Sequence, residues 1–97
     1  MRWIAIFDDS PEMLEVRRQR EPLHLAYLRE HALEILIGGG CRAEPGGAFV
    51  GGLWVLEVAS RERAVELIEC DPYFVPSCRR YTLRTWGKAF PELAITL

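Results

Sequence analysis

Four segments of this chain have strand-like hydrophobic patterns, and they differ in how many faces they bury. Arg2 to Phe7, with Trp3, Ile4, Ile6 and Phe7, and Leu53 to Val58, with Trp54, Val55, Leu56 and Val58, are apolar on both faces. That is the pattern of strands covered on two sides. Arg79 to Trp86 alternates instead, Tyr81 and Leu83 against Arg80, Thr82 and Arg84, as a half-buried strand does. Glu34 to Ile37 is a shorter strand, stopped by Gly38-Gly39-Gly40. From Cys41 to Gly52 the composition is that of a loop and hairpin, although Phe49 and Val50 can already open the next strand.

Between the strands the spacing of apolar residues becomes helical. Ser60 suits an N-cap, and Ala64, Val65, Leu67 and Ile68 give the following helix a buried side, leaving Arg61, Glu62, Arg63 and Glu66 to water until Asp71-Pro72 ends it. Asp8 to Glu12 is turn chemistry: Ser10 or Asp9 caps a short helical piece and Pro11 suits its first position. Arg17, Arg18 and Arg20 then read as a solvated cluster. Pro22 opens the main helix, which puts His24 near its mouth and makes Leu25, Leu28 and Ala32 its buried stripe. Tyr73 to Cys78 is a turn or short helical piece, and the tail from Gly87 to Leu97 carries Phe90, Leu93 and Ile95 in no regular spacing.

The order strand, helix, strand, hairpin, strand, helix, strand is the split βαβ of an α+β, ferredoxin-like βαββαβ fold. Its first and third strands are the central pair, and those are the two segments apolar on both faces. Two helices cover one face of such a sheet. The other is covered most simply by a second copy about a two-fold axis, which predicts a homodimer with its sheets face to face, a dimeric α+β barrel.

Composition narrows the function classes. The 97 residues make a single domain, with its core in about 1–88 and a C-terminal tail at 89–97, and the net charge of −2 with 27% charged residues supplies no basic patch for nucleic acid. No apolar run approaches the roughly 20 residues that cross a bilayer, so the expected location is the cytoplasm, away from membranes. Cys41, Cys70 and Cys78 are odd in number and lack CxxC spacing, and read as reduced thiols. His24 and His31 share a helix but lie about 10.5 Å apart along its axis, too far to hold one ion, so no metal is expected.

Taken singly, the polar residues have plain structural readings. His24 can flank the buried stripe with a backbone partner, His31 can be a partly exposed helix residue, and Asp71 can cap its own turn. Tyr73 can be core, and Arg80 and Arg84 a solvated strand face. Gly38 and Gly39 are a common hairpin entry without the Lys and Ser or Thr of a phosphate loop.

Together they say more. Arg20-Glu21-Pro22-Leu23-His24-Leu25 with Leu28, then Gly38-Gly39, the Gly51 hairpin, Ala64, Asp71-Pro72-Tyr73 and a closing strand with Arg84 and Trp86 resemble the YCII-related family over roughly residues 1 to 88. That resemblance implies a dimeric α+β barrel with a pocket in each subunit, and a catalytic pair at the positions of His24 and Asp71. It implies a small-molecule ligand, with one branch of the family linked to dehydrochlorination of a chlorinated aromatic metabolite and a fold similar to muconolactone isomerases. The chain departs from the family where Gly38-Gly39-Gly40 replaces a usual Ala-Gly-Pro, where Val75-Pro76-Ser77 follows Asp-Pro-Tyr, and at Thr85, where a proline is common.

A His–Asp pair suits proton transfer: the carboxylate fixes the tautomer and the other nitrogen faces the substrate, with no cofactor needed. The expected function is a small lyase or isomerase using His24 and Asp71 on a ring-containing or carboxylated metabolite. Tyr73 or Trp86 would stack on a ring, Arg80 or Arg84 would hold an anionic group, and Gly38 and Gly39 would line the entrance. The alternative is a ligand-binding or regulatory dimer that uses the same pocket without turnover.

Overall fold

The computed structural model describes residues 1–94, so Ile95, expected to help the tail pack, lies outside the described residues. Six elements follow one another: β1 (Arg2–Asp9), α1 (Met13–Glu30), β2 (Ile35–Arg42), β3 (Phe49–Glu57), α2 (Arg61–Glu69) and β4 (Arg79–Thr85). They form one antiparallel sheet in the order β2-β3-β1-β4, so the two segments apolar on both faces are the central strands of a ferredoxin-like α+β fold.

One sheet face lies beneath the helices. It carries Ala5 and Phe7 of β1, Trp54 and Leu56 of β3 and Leu83 of β4, all buried against Ala64, Leu67 and Ile68 of α2. Large residues meet small ones across the strands. Trp54 stands between Ala5 and Gly38, and Phe7 stands between Gly52 and Tyr81, with the Phe7 and Trp54 rings edge to face at 5.2 Å. The opposite face presents Ile4, Ile6, Ile37, Leu53 and Val55 in neighbouring register positions. Of these Ile6, Ile37 and Leu53 remain exposed in the single chain.

α2 starts as its sequence indicates, with the Ser60 hydroxyl accepting from the Arg63 N–H at 3.1 Å. Three other expectations are corrected. Pro22 does not open the main helix but lies inside α1, which is continuous from Met13, so His24 sits past the helix middle instead of at its mouth. An interior proline removes a backbone hydrogen bond and disfavours the helix by roughly 3 kcal/mol. Both halves of α1 are independently tied down, the first through Met13 and Arg17 and the second through His24 and Tyr27. Neither Asp9 nor Ser10 caps this helix through a side chain: Asp9 belongs to β1, and the Ser10 carbonyl accepts from the Met13 N–H at 3.0 Å.

The second correction is the buried face of α1. Leu25 and Ala32 are exposed, and of the expected stripe only Leu28 packs on the core. The face that meets the sheet runs through Met13, Arg17, His24 and Tyr27, at the three- and four-residue steps of a helical stripe but largely polar.

The third concerns the glycines, which do not end β2. Gly38, Gly39 and Gly40 pair with Trp54, Leu53 and Gly52. At two of them neighbours come close to where a side chain would stand: a Cβ on Gly38 would lie 3.2 Å from the Trp54 ring, and one on Gly40 would lie 2.5 Å from Phe49, whereas Gly39 has open space beside it. Gly51, in β3, has the Phe7 carbonyl oxygen 2.0 Å from where its Cβ would be.

Tyr27 links the two helices, its hydroxyl donating to the Leu67 carbonyl at 2.7 Å, and burial first of all pushes its pKa from 10.0 up to about 12. The folded chain therefore holds this proton more tightly than the unfolded chain. The associated stability is complete below pH 10 and is lost as pH rises toward 12. Tyr27→Phe is expected to destabilise the protein by about 1 kcal/mol at neutral pH. Urea unfolding midpoints of the two proteins should converge as pH rises above 10; a constant gap would show that the hydroxyl is not what stabilises this contact.

Candidate active site

The turn after α2 is built around one carboxylate. Asp71 is buried, and its Oδ1 accepts the backbone N–H of Tyr73 at 3.1 Å, the side-chain-to-backbone closure that Asp provides two residues ahead of its partner. The same oxygen lies 2.7 Å from Nδ1 of His24, buried on α1. The Tyr73 ring, carried round by this turn, stacks on the imidazole with centroids 3.7 Å apart and planes 7° from parallel. Arg20 completes the docking through a hydrogen bond to the Pro72 carbonyl at 3.1 Å. Burial is the leading reason why the pKa of the Tyr73 phenol is raised, with Arg17 acting against it.

An ionised carboxylate can only accept, so Nδ1 of His24 carries the hydrogen toward Asp71. In a neutral imidazole that leaves Nε2 as the free acceptor, the arrangement a general base needs.

His24 and Tyr73 line a cavity of about 240 Å³ whose other walls include Arg17, Phe49 and the backbone of Gly38 and Gly39. Sequence patterning gave Arg17 to solvent; the fold turns it inward. Its Nη2 donates to Asp9 Oδ2 at 3.2 Å and to the Gly51 carbonyl at 2.8 Å, and its guanidinium carbon lies 4.3 Å from the centre of the Phe49 ring. Asp9 is itself buried and gripped by Arg79 through two hydrogen bonds of 2.8 and 3.0 Å. Arg79 was missed as well, because a charged residue at a strand start ordinarily faces water. The only sequence signal for either is positional: Arg17 stands seven residues before His24 on one helical face, and Arg79, four residues before the buried Leu83, shares its strand face.

Other expected contacts are elsewhere in the chain. Arg84 lies on the uncovered sheet face opposite Ile4, and exposed Trp86 follows β4 beside Arg2, at the end of β1 remote from Asp9. Arg80 is exposed on that same uncovered face, opposite Asp8. A larger cavity of about 520 Å³, lined by Asp8, Ser10, Cys78 and Arg80 among others, contains no histidine. His31 packs its ring against Tyr27 at 4.5 Å, apart from the cavity. Among the described residues no group of three or more His, Cys, Asp or Glu is placed to hold a metal ion, and no helix is long and apolar enough to cross a membrane.

The hydrogen bond to Asp71 makes a prediction about tautomers. Nitrogen-15 NMR at a pH where the imidazole is neutral should show the His24 hydrogen on Nδ1 with Nε2 bare, and Asp71→Leu should release the ring to a mixture of both tautomers. An unchanged Nδ1–H tautomer in that variant would mean that Asp71 does not set it.

No curated protein matches the chain in sequence. Among solved structures, it is similar to 5-chloro-2-hydroxyhydroquinone dehydrochlorinase from Burkholderia phenoliruptrix AC1100 in complex with 2,5-dihydroxybenzoquinone. That similarity has a TM-score of 0.78 at 24% identity and covers 90% of this chain and 94% of the other. The family model for the YCII-related domain matches residues 1–87, and the protein therefore belongs to the YCII-related family.

Proposed function

We propose that the protein is a small lyase or isomerase in which His24 moves a proton on a compact ring-containing or carboxylated metabolite and Asp71 orients it. The observation that carries this reading is the 2.7 Å contact between His24 Nδ1 and Asp71 Oδ1 on the wall of a cavity. In the lyase form Nε2 takes a proton from carbon beside a carbonyl, the C–H electron pair becomes a C=C bond, and the leaving group departs as an anion with the electrons of its own bond. In the isomerase form the imidazolium returns the proton to another carbon of the conjugated system. Loss of chloride from a chlorinated hydroquinone, the chemistry named for the dehydrochlorinase that this chain resembles, first needs a hydroxyl proton moved to the chlorine-bearing carbon to give a ring ketone. Loss of a second hydroxyl proton then expels chloride as the ring becomes a quinone. At about 240 Å³ the cavity is smaller than the roughly 300–1,000 Å³ that hold drug-sized ligands, which favours a single ring. Tyr73 and the backbone of Gly38 and Gly39 are its substrate contacts within one chain.

The protein acts as a homodimer in this reading, because Ile6, Ile37 and Leu53 form a contiguous apolar strip on the uncovered face. Free Cys41 and Cys70, both exposed, suit the reducing cytoplasm.

With 5-chloro-2-hydroxyhydroquinone as test substrate, chloride release is expected from the native protein. It should fall about 10²–10⁴-fold in His24→Gln while thermal-shift affinity for 2,5-dihydroxybenzoquinone changes little. Binding without chloride release in the native protein would point instead to a ligand-binding dimer. Sedimentation equilibrium at micromolar concentration should give twice the chain mass; a folded monomer there refutes the face-to-face pairing.

A further inference from the structure

The His24 cavity has a cationic wall that the proton-transfer reading does not use. We propose that Arg17 is its anion-holding residue, and that the ligand is a single planar ring bearing a negatively charged oxygen. This rests on the cavity being a ligand site but not on turnover.

The hydrogen-bond inventory of Arg17 carries the inference. A guanidinium has five N–H donors in a rigid plane. Nη2 is committed to Asp9 and the Gly51 carbonyl, and Nε is buried without a partner. Nη1 makes no hydrogen bond with the described residues. It lies beside Gly40, 3.3 Å from where a Cβ would be and next to the Phe49 ring, and all three residues line the cavity. The guanidinium cannot swing freely to meet a ligand, because Asp9, Gly51 and Phe49 hold it. A donor fixed before binding loses little entropy when an anion arrives.

The charges agree. One buried carboxylate, Asp9, sits between two guanidiniums, Arg17 and Arg79, which leaves the cluster one positive charge in surplus. Arg42 adds another cation over the Phe49 ring at 4.0 Å. Two carboxylates act against this surplus: Glu21, exposed at the cavity rim where solvent and salt screen it, and Asp71, which lies behind His24 and is taken up by the imidazole and the Tyr73 N–H. Arg17 also lies 5.4 Å from the centre of the Tyr73 ring, so the anion-holding group and the ring stacked on His24 stand side by side. A ring that places its anionic oxygen on Nη1 can then bring a neighbouring carbon toward His24. Arg79 is a positioning residue here, acting through Asp9.

The test compares benzoate with benzamide, nearly the same shape without the charge, by calorimetry on the intact protein. A charge-assisted hydrogen bond should favour benzoate by about 10–100-fold. Arg17→Gln should abolish that preference, Arg17→Lys should keep part of it, and Arg42→Gln should leave most of it. If Arg17→Gln fails to fold, the guanidinium resonances of Arg17 in the native protein decide: they should shift on adding benzoate and not benzamide. Equal affinity for the two probes, no binding of benzoate at millimolar concentration, or a preference that survives Arg17→Gln overturns the proposal. His24→Gln should retain the benzoate preference, so a failure of proton transfer and a failure of the anion site give different results.

Discussion

A helix that lies on a sheet through an arginine, a histidine and a tyrosine must give each of them a partner, because a buried donor left unpaired costs about 1–3 kcal/mol. That requirement organises the structure. Arg17 takes Asp9 from β1 and the Gly51 carbonyl from β3, His24 takes Asp71 from the turn after α2, and Tyr27 takes the Leu67 carbonyl inside α2. Of these docking contacts, those of Arg17 and His24 also form the cavity wall, and Tyr27 anchors the helix beside it. The site is therefore part of the core packing, and the interior proline of α1 is tolerated in a helix held on both sides of it.

The opposite wall depends on missing side chains. Trp54 fills the space that Ala5 and Gly38 leave beside it, and Gly40 gives way to Phe49. Phe49 in turn meets the Arg17 guanidinium, and Gly51 supplies the carbonyl that accepts from it. A run of glycines that looks like a place for the chain to turn is here a strand against which large neighbours and one guanidinium lie close. Strand pairing supplies the rigidity that the absent side chains do not.

How far the sequence can be read follows from the same two facts. The central strands, the capped and amphipathic α2 and the Asp71-Pro72-Tyr73 turn are legible because apolar pattern and turn chemistry point the same way in each. α1 is not, because its inner face is polar and its outer face carries Leu14, Leu23 and Leu25, so hydrophobic periodicity selects the wrong side. Its start is misplaced by Pro22 for a related reason: local propensity marks a beginning there, and tertiary anchors override it. β2 ends too early because glycine is punctuation in most sequences and close packing in this one. Arg17 and Arg79 are hidden by the rule that arginines face water, which fails where one buried carboxylate serves both.

The surroundings of His24 leave few directions for chemistry. Nδ1 is occupied by Asp71, and one face of the imidazole is covered by Tyr73 at stacking distance. What remains is the Nε2 edge and the other ring face, in a residue that is only 8% exposed. In the proposed reaction an atom comes to Nε2 close to the plane of the ring, where its lone pair points, and any hydrogen it loses travels along that line. The Asp71 turn thus does two things with one oxygen. It fixes which nitrogen holds the hydrogen, and through the Tyr73 N–H it places the ring that closes one of the two faces.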